Sequence, residues 1–220
     1  MPAVAMTDHG NIYGAVDFYQ SAYRLGIKPI IGCELYVAPR GRLEKTVETA
    51  GDSARHLIVL VKNFQGYKNL IKLTSLGFLE GFYYRPRVDK ELLAKHSEGL
   101  IALSACLHGE VADHLLRGDA EGAEKAALEY RSIFGPDNYY LELMENGIPE
   151  QQTVNEGLLQ LSRKCGIPVV ATNDSLGSNS GSLSIFTNCK NGVRISTVPL
   201  PSRHGECVPR PRWPPRASIR

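Results

Sequence analysis

The sequence predicts an α/β fold with a largely parallel sheet. Short apolar runs at about 2–7, 28–37, 56–62, 100–104, 139–144 and 168–173 have strand length and strand composition. Stretches with helical spacing and capping residues separate most of them, the alternation expected of βαβ units. Residues able to bind metal stand at or beside the ends of five of these runs: Asp8-His9, Glu34, His56, Cys106 and Asp174. In closed parallel barrels the reactive side chains gather at the carboxyl ends of the strands.

Taken in order, Ala3-Val4-Ala5-Met6 leads into Thr7-Asp8-His9-Gly10. A helix from about Tyr13 to Leu25 follows, with Val16, Phe18, Tyr19, Ala22 and Tyr23 at roughly helical spacing and Gly26 as its carboxyl cap. Pro29-Ile30-Ile31 runs through Gly32-Cys33 to Glu34, and the polar stretch 40–54 reads as a solvated loop. His56 opens Leu57-Ile58-Val59-Leu60-Val61, and Leu70, Ile71, Leu73 and Leu76 mark a helix over 66–76. The aromatic stretch 77–89, with Arg85-Pro86-Arg87, is a structured excursion. Asp89 caps a short helix holding Leu92 and Leu93, and Leu100-Ile101-Ala102-Leu103 ends at Ser104-Ala105-Cys106. Asp119 caps a helix running through Ala123, Ala126, Ala127 and Tyr130 to Phe134, stopped by Gly135-Pro136. Pro149 fits the first turn of a helix ending near Cys165-Gly166, and Val169-Val170-Ala171 ends at Thr172-Asn173-Asp174.

After Asp174 the pattern changes. Ser and Gly alternate through 175–184, six of the thirteen prolines fall between Pro199 and Pro215, and neither a helical nor a two-residue apolar period is read there. The expected domains are therefore a folded unit over 1–174 and a low-complexity, Ser/Pro/Arg-rich, disordered tail over 175–220. The tail also carries the positive charge. Seven of the 25 Lys and Arg but only one of the 23 acids lie beyond Asp174, leaving 18 basic against 22 acidic residues in 1–174. A mildly acidic body does not by its net charge suggest a nucleic-acid footprint.

Neither a signal segment nor an apolar stretch of membrane-spanning length is found, so a cytoplasmic location is expected. The five cysteines are irregularly spaced and include no Cys-x-x-Cys pair, which argues against a disulfide framework or thiolate finger.

The motifs Met6-Thr7-Asp8-His9-Gly10-Asn11, Gly26–Glu34, Glu80–Arg87, Gly99–Leu107 and Ala171-Thr172-Asn173-Asp174 resemble the PHP (polymerase and histidinol phosphatase) domain, in the form found at the amino end of bacterial replicative DNA polymerase III alpha subunits. The resemblance covers about 1–174, and the Glu80–Arg87 segment looks particular to the polymerase branch, against a stand-alone phosphatase. It implies a distorted seven-stranded α/β barrel holding up to three ions, often zinc or manganese. Carried over residue by residue, it makes Asp8, His9, Glu34, His56, Cys106 and Asp174 the metal ligands. A multi-metal cluster of this kind acidifies a bridging water and clamps the oxygens of a phosphodiester.

Three of the family's ligands are missing, which qualifies that inheritance. The family's His-x-His motif on its first strand has no counterpart here, and Leu176 stands where a histidine should follow the Asp174 motif. The chain is thus expected to be an internal piece of the domain, incomplete and without its first strand, with apolar edges near 2–7 and 168–173 left unpaired and with the polymerase palm, fingers and thumb absent. Two functions follow from the resemblance: a metal-dependent phosphoesterase or 3′–5′ exonuclease, or a non-catalytic scaffold docking a proofreading exonuclease. In the intact parent, a DNA-directed DNA polymerase, the partners would be DNA, the proofreading exonuclease and the sliding clamp; the missing ligands favour no intrinsic catalysis in this chain. His96, His108, His114 and His204 lack strand-end context and are expected at surface or helix positions, Glu142 and Glu145 in salt bridges or solvent, and Arg85 and Arg87 packing their loop rather than touching nucleic acid.

Overall fold

A computed structural model of the chain describes residues 3–45, 54–145, 147–176 and 182–187, with backbone only from residue 173 onward. Residues 46–53 of the expected solvated loop, and 177–181 and 188–220 of the expected tail, lie outside the described residues.

The strands are β1 (Ala3–Met6), β2 (Lys28–Val37), β3 (Arg55–Val61), β4 (Arg87–Val88), β5 (Leu100–Leu103), β6 (Tyr139–Met144), β7 (Val169–Leu176) and β8 (Ser182–Thr187). The helices are α1 (Ala15–Arg24), α2 (Phe64–Leu79), α3 (Lys90–Lys95), α4 (Glu110–Leu116), α5 (Ala120–Phe134) and α6 (Pro149–Cys165). The strands follow the order β1-β8-β7-β6-β5-β3-β2, with β4 beyond β2, and β1 also pairs with β2. That last pairing closes seven strands into a ring, the α/β barrel expected from the sequence.

Two features of the sheet depart from expectation. The first is direction. β1–β2, β5–β6 and β6–β7 are parallel, whereas β3 runs antiparallel to both β2 and β5. A parallel return needs a crossover, usually a helix. The described parts of the 40–54 connection carry none, so the chain comes straight back as the neighbouring antiparallel strand.

The second is closure. β8 lies antiparallel between β1 and β7, pairing Ser184 with both Ala5 and Asp174. The edges expected to stay open are therefore paired, by a segment read as aperiodic tail. Ladder bonds are made by backbone and tolerate almost any sequence without proline, and the first proline beyond Asp174 is Pro199. In hindsight Ser182-Leu183-Ser184-Ile185 does alternate polar with apolar, over a stretch too short to register against its Ser/Gly surroundings.

Alternation along the strands creates two cores. Ala5, Ile58, Leu60, Leu103 and Ala105, with Ile30, Ile101, Tyr140 and Val170, fill the barrel interior. The residues between them point outward: Cys33, Leu35, Leu57, Val59, Ala102, Tyr139 and Leu141 pack under α2 to α6 through Leu70, Leu73, Leu93, Ala127 and Leu158.

The capping residues act as read. Asp89 accepts from the Leu92 amide at 2.9 Å and Asp119 from the Gly122 amide at 2.8 Å, while Gly166 ends α6 at φ +64°. α1 is the exception to the pattern. Only Ala15 and Ala22 are buried, and Val16, Tyr19 and Tyr23 are 50–65% exposed, so its apolar spacing does not mark an inward face. α4 was not anticipated; it is only seven residues long and opens on Gly109 without a side-chain cap.

Candidate metal centre

The mixed strand directions gather the candidate residues at one end of the barrel. β1 and β2 are parallel and in register through Met6 and Ile31, so both deliver their carboxyl ends to the same rim. Beyond β1 the pairing continues: the Glu34 amide in β2 donates to the Asp8 carbonyl at 3.0 Å, and the Gly10 amide to the Glu34 carbonyl at 2.9 Å. Gly10 has φ +69°, and a Cβ there would stand 2.7 Å from the Pro86 side chain, so a larger residue would spoil the turn carrying Asp8 and His9. Because β3 is antiparallel, His56 at its start faces Tyr36 near the end of β2. A parallel β3 would have sent His56 to the far end of the barrel.

Glu34 is the centre of the arrangement. Its Oε1 lies 2.5 Å from His56 Nδ1 and 3.2 Å from His9 Nδ1, with the side chain only 9% exposed. Burial alone would raise its carboxyl, but the two imidazoles outweigh that and hold it at about 2. The two imidazoles bracket one carboxylate oxygen, which brings three metal-competent groups together at the rim.

Cys106 completes the rim from β5. Ala105 adopts φ +63°, a left-handed conformation that turns the chain back after the strand. The Gly109 amide donates to the Cys106 carbonyl at 2.8 Å and the His56 amide to the His108 carbonyl at 3.0 Å, so this turn is fastened to the start of β3. Cys106 Sγ lies 3.4 Å from His56 Nδ1. Burial, then the nearby Glu34 and Glu142 carboxylates, push the Cys106 thiol up to about 12.

Asp8 Oδ1 is buried without a hydrogen-bond partner, and burial raises the carboxyl against the opposing pull of His9. A buried carboxylate oxygen with no donor fits a metal ligand. Asp174 lies in β7 two residues beyond Thr172, which pairs with Met144 at the end of β6, so its backbone reaches the same rim; its side chain lies outside the described residues. The sequence thus identified residues that converge at Asp8, His9, Glu34, His56 and Cys106.

Two residues add to this picture. His108 is exposed, as expected, and brings Nδ1 to 3.9 Å from Cys106 Sγ. The signal was the Cys106-Leu107-His108 spacing just past a strand end. Glu142, expected in a salt bridge or solvent, is fully buried; its Oε1 accepts from the Thr172 hydroxyl at 2.6 Å. Lying between Tyr140 and Met144 on an alternating strand, it shares the inward face of Tyr140.

His96 and His114 stand apart, at the end of α3 and on α4, the latter 2.8 Å from Asp119. Arg87 is buried and donates to the Gly81, Arg42 and Glu44 carbonyls, packing its loop as expected. Arg85 is exposed and donates to the Tyr36 hydroxyl at 2.5 Å, its guanidinium lying over that ring.

Comparison with known proteins agrees with this architecture. The PHP domain family model matches residues 1–146. DNA polymerase III subunit alpha of Treponema pallidum is 51% identical over 172 residues, 78% of this chain and 15% of that protein. The subunit of the same name in Thermus aquaticus is 48% identical over 174 residues, 79% of this chain and 14% of its own length. The Chlamydia pneumoniae subunit is 42% identical across 92% of this chain and 19% of its own length, a span too long to stop at Asp174. The chain thus spans about one sixth of the length of these relatives. With the family match running from β1 through β6, this chain belongs to the PHP domain family.

Proposed function

We propose that this chain provides the PHP region of a bacterial replicative DNA polymerase, and that its barrel rim is a zinc or manganese centre serving scaffolding rather than hydrolysis. The observation that carries the metal reading is Glu34 Oε1 between the His9 and His56 imidazoles, with the partnerless Asp8 Oδ1 on the adjoining turn. Asp8, His9, Glu34, His56 and Cys106 would hold the metal, with Asp174 as the ligand from β7. When bound, such ions acidify water and polarise a phosphodiester.

The residues present support binding better than turnover. Position 176, two residues beyond Asp174, is leucine and offers no ligand atom. A two-metal clamp depends on oxygens held within about 0.5 Å of their productive positions, which a reduced ligand set does not secure. What the rim does secure is tertiary structure, because it ties β1, β2, β3 and β5 together at one end. In the parent protein the partners are DNA, a separate proofreading exonuclease and the sliding clamp.

The test combines metal analysis with a nuclease assay on the 220-residue chain. Expected are zinc or manganese binding that Asp8→Ala and Glu34→Gln each weaken, a higher melting temperature with metal, and little or no release of nucleotides from a 3′-labelled oligonucleotide. Robust exonuclease activity abolished by Asp8→Ala would replace the scaffold reading with a catalytic one. Absence of zinc and manganese binding would remove the metal centre.

A further inference from the structure

The donor atoms of His56, Cys106 and His108 all lie within 4.8 Å of one another. Cys106 Sγ is 3.4 Å from His56 Nδ1 and 3.9 Å from His108 Nδ1. A tetrahedral zinc with Zn–S of about 2.3 Å and Zn–N of about 2.0–2.1 Å separates its sulfur and nitrogen ligands by about 3.5 Å. The two observed separations fall on either side of that figure.

The turn presenting His108 is built rather than incidental. The His108 carbonyl accepts from the His56 amide, and the two imidazole centroids are 5.2 Å apart. Gly109 allows the return: a Cβ there would stand 2.1 Å from the Ser104 carbonyl oxygen. The His108 backbone is thus fixed against the residue whose side chain it joins, and only its exposed side chain need adjust.

We propose that His108 is a metal ligand, and that His56, Cys106 and His108 together hold one zinc ion at the mouth of the barrel. The proposal rests on the metal-centre reading above and specifies both a residue and a metal. A thiolate with two imidazoles suits zinc, whereas manganese favours carboxylate, carbonyl and water oxygens. Three protein ligands leave a fourth position for water or another rim group. His108 thereby supplies the rim with an imidazole from the β5 side.

Cobalt(II) titration of the full 220-residue chain tests this, because a cobalt–thiolate bond gives a near-ultraviolet charge-transfer band and four-coordination gives intense visible bands. Both should appear and be bleached by stoichiometric zinc but not by manganese. Cys106→Ser should remove the ultraviolet band. His108→Ala should weaken cobalt and zinc binding at least about tenfold, the scale on which even supporting groups act at metal sites. His108→Cys should restore tight binding, and His96→Ala, outside the cluster, should leave the titration unchanged. A His108→Ala titration superimposing on the parent would overturn the assignment of His108 while leaving the rim reading intact. Binding sensitive to Glu34→Gln but without a thiolate band would do the same. Failure of the parent chain to bind cobalt, zinc and manganese would overturn both readings.

Discussion

Replacing Gly66 with alanine should destabilise the protein, although the same change in a helix ordinarily stabilises. Gly66 lies in the first turn of α2, where alanine is favoured over glycine by about 1 kcal/mol on intrinsic propensity. Here an added Cβ would lie 1.8 Å from the Gly99 carbonyl oxygen and 2.4 Å from its carbonyl carbon, both backbone atoms that cannot rotate away. Either α2 or the turn entering β5 must move. Overpacking of this kind costs about 1–3 kcal/mol. The same movement disturbs the cap, in which Asn63 Oδ1 accepts from the Gly66 amide at 3.0 Å and which is worth about 0.5–2 kcal/mol. Set against the propensity gain, the net loss should be about 0.5–4 kcal/mol. Gly77 in the same helix is the internal control. Its nearest neighbours to a Cβ are 3.5–3.6 Å away, ordinary contact distance, so Gly77→Ala should be neutral or stabilising by up to about 1 kcal/mol. Urea unfolding followed by far-ultraviolet circular dichroism gives both midpoints, compared at equal slope. Equal stabilisation by both substitutions would refute the claim that α2 is pressed against the Gly99 turn. The consequence reaches the rim, because that turn sets the position of β5 and therefore of Cys106.

Two further outcomes follow from the sheet and from one buried carboxylate. Ser184→Pro should lower the melting temperature and promote self-association in sedimentation velocity, since Ser184 pairs with both Ala5 and Asp174 and its loss exposes two apolar edges; an unchanged, monomeric melt would show that β8 does not hold the barrel shut. Asp89 should contribute to acid sensitivity. Burial opposes its ionisation, but the Arg42 and Leu92 amides and the Arg42 guanidinium hold its carboxyl below the ordinary 3.8. A depressed folded value means that the stabilisation is complete above about pH 4 and disappears as pH falls through that lower value. Asp89→Asn should therefore narrow the difference in urea midpoint between pH 6 and pH 3, and an unaltered difference would show that the Arg42 contact contributes nothing to stability.

The sequence by itself determined most of the elements and picked out several residues that the fold brings to one rim. Asp89 and Asp119 cap their helices, Gly166 ends α6, Asp8, His9 and Cys106 follow strands at their carboxyl ends, and Glu34 lies in the carboxyl half of β2. These are local facts, set by backbone geometry and side-chain reach over a few residues. Tertiary structure decided what local pattern cannot encode. An apolar run reads the same in either direction, so only the assembled sheet shows that β3 is antiparallel and that His56 belongs to the rim. A free-standing Ser/Leu alternation carries little signal, yet two waiting edges turn Ser182–Thr187 into the closing strand because ladder bonds are made by backbone. Exposure, too, was settled late. The spacing in α1 suggested an inward face, but a helix buries only the stripe its neighbours cover, and here that stripe is Ala15 and Ala22. The placement of His108 beside His56 was invisible for the same reason: its carbonyl accepts from the His56 amide across a gap of more than fifty residues, a contact no sequence window contains.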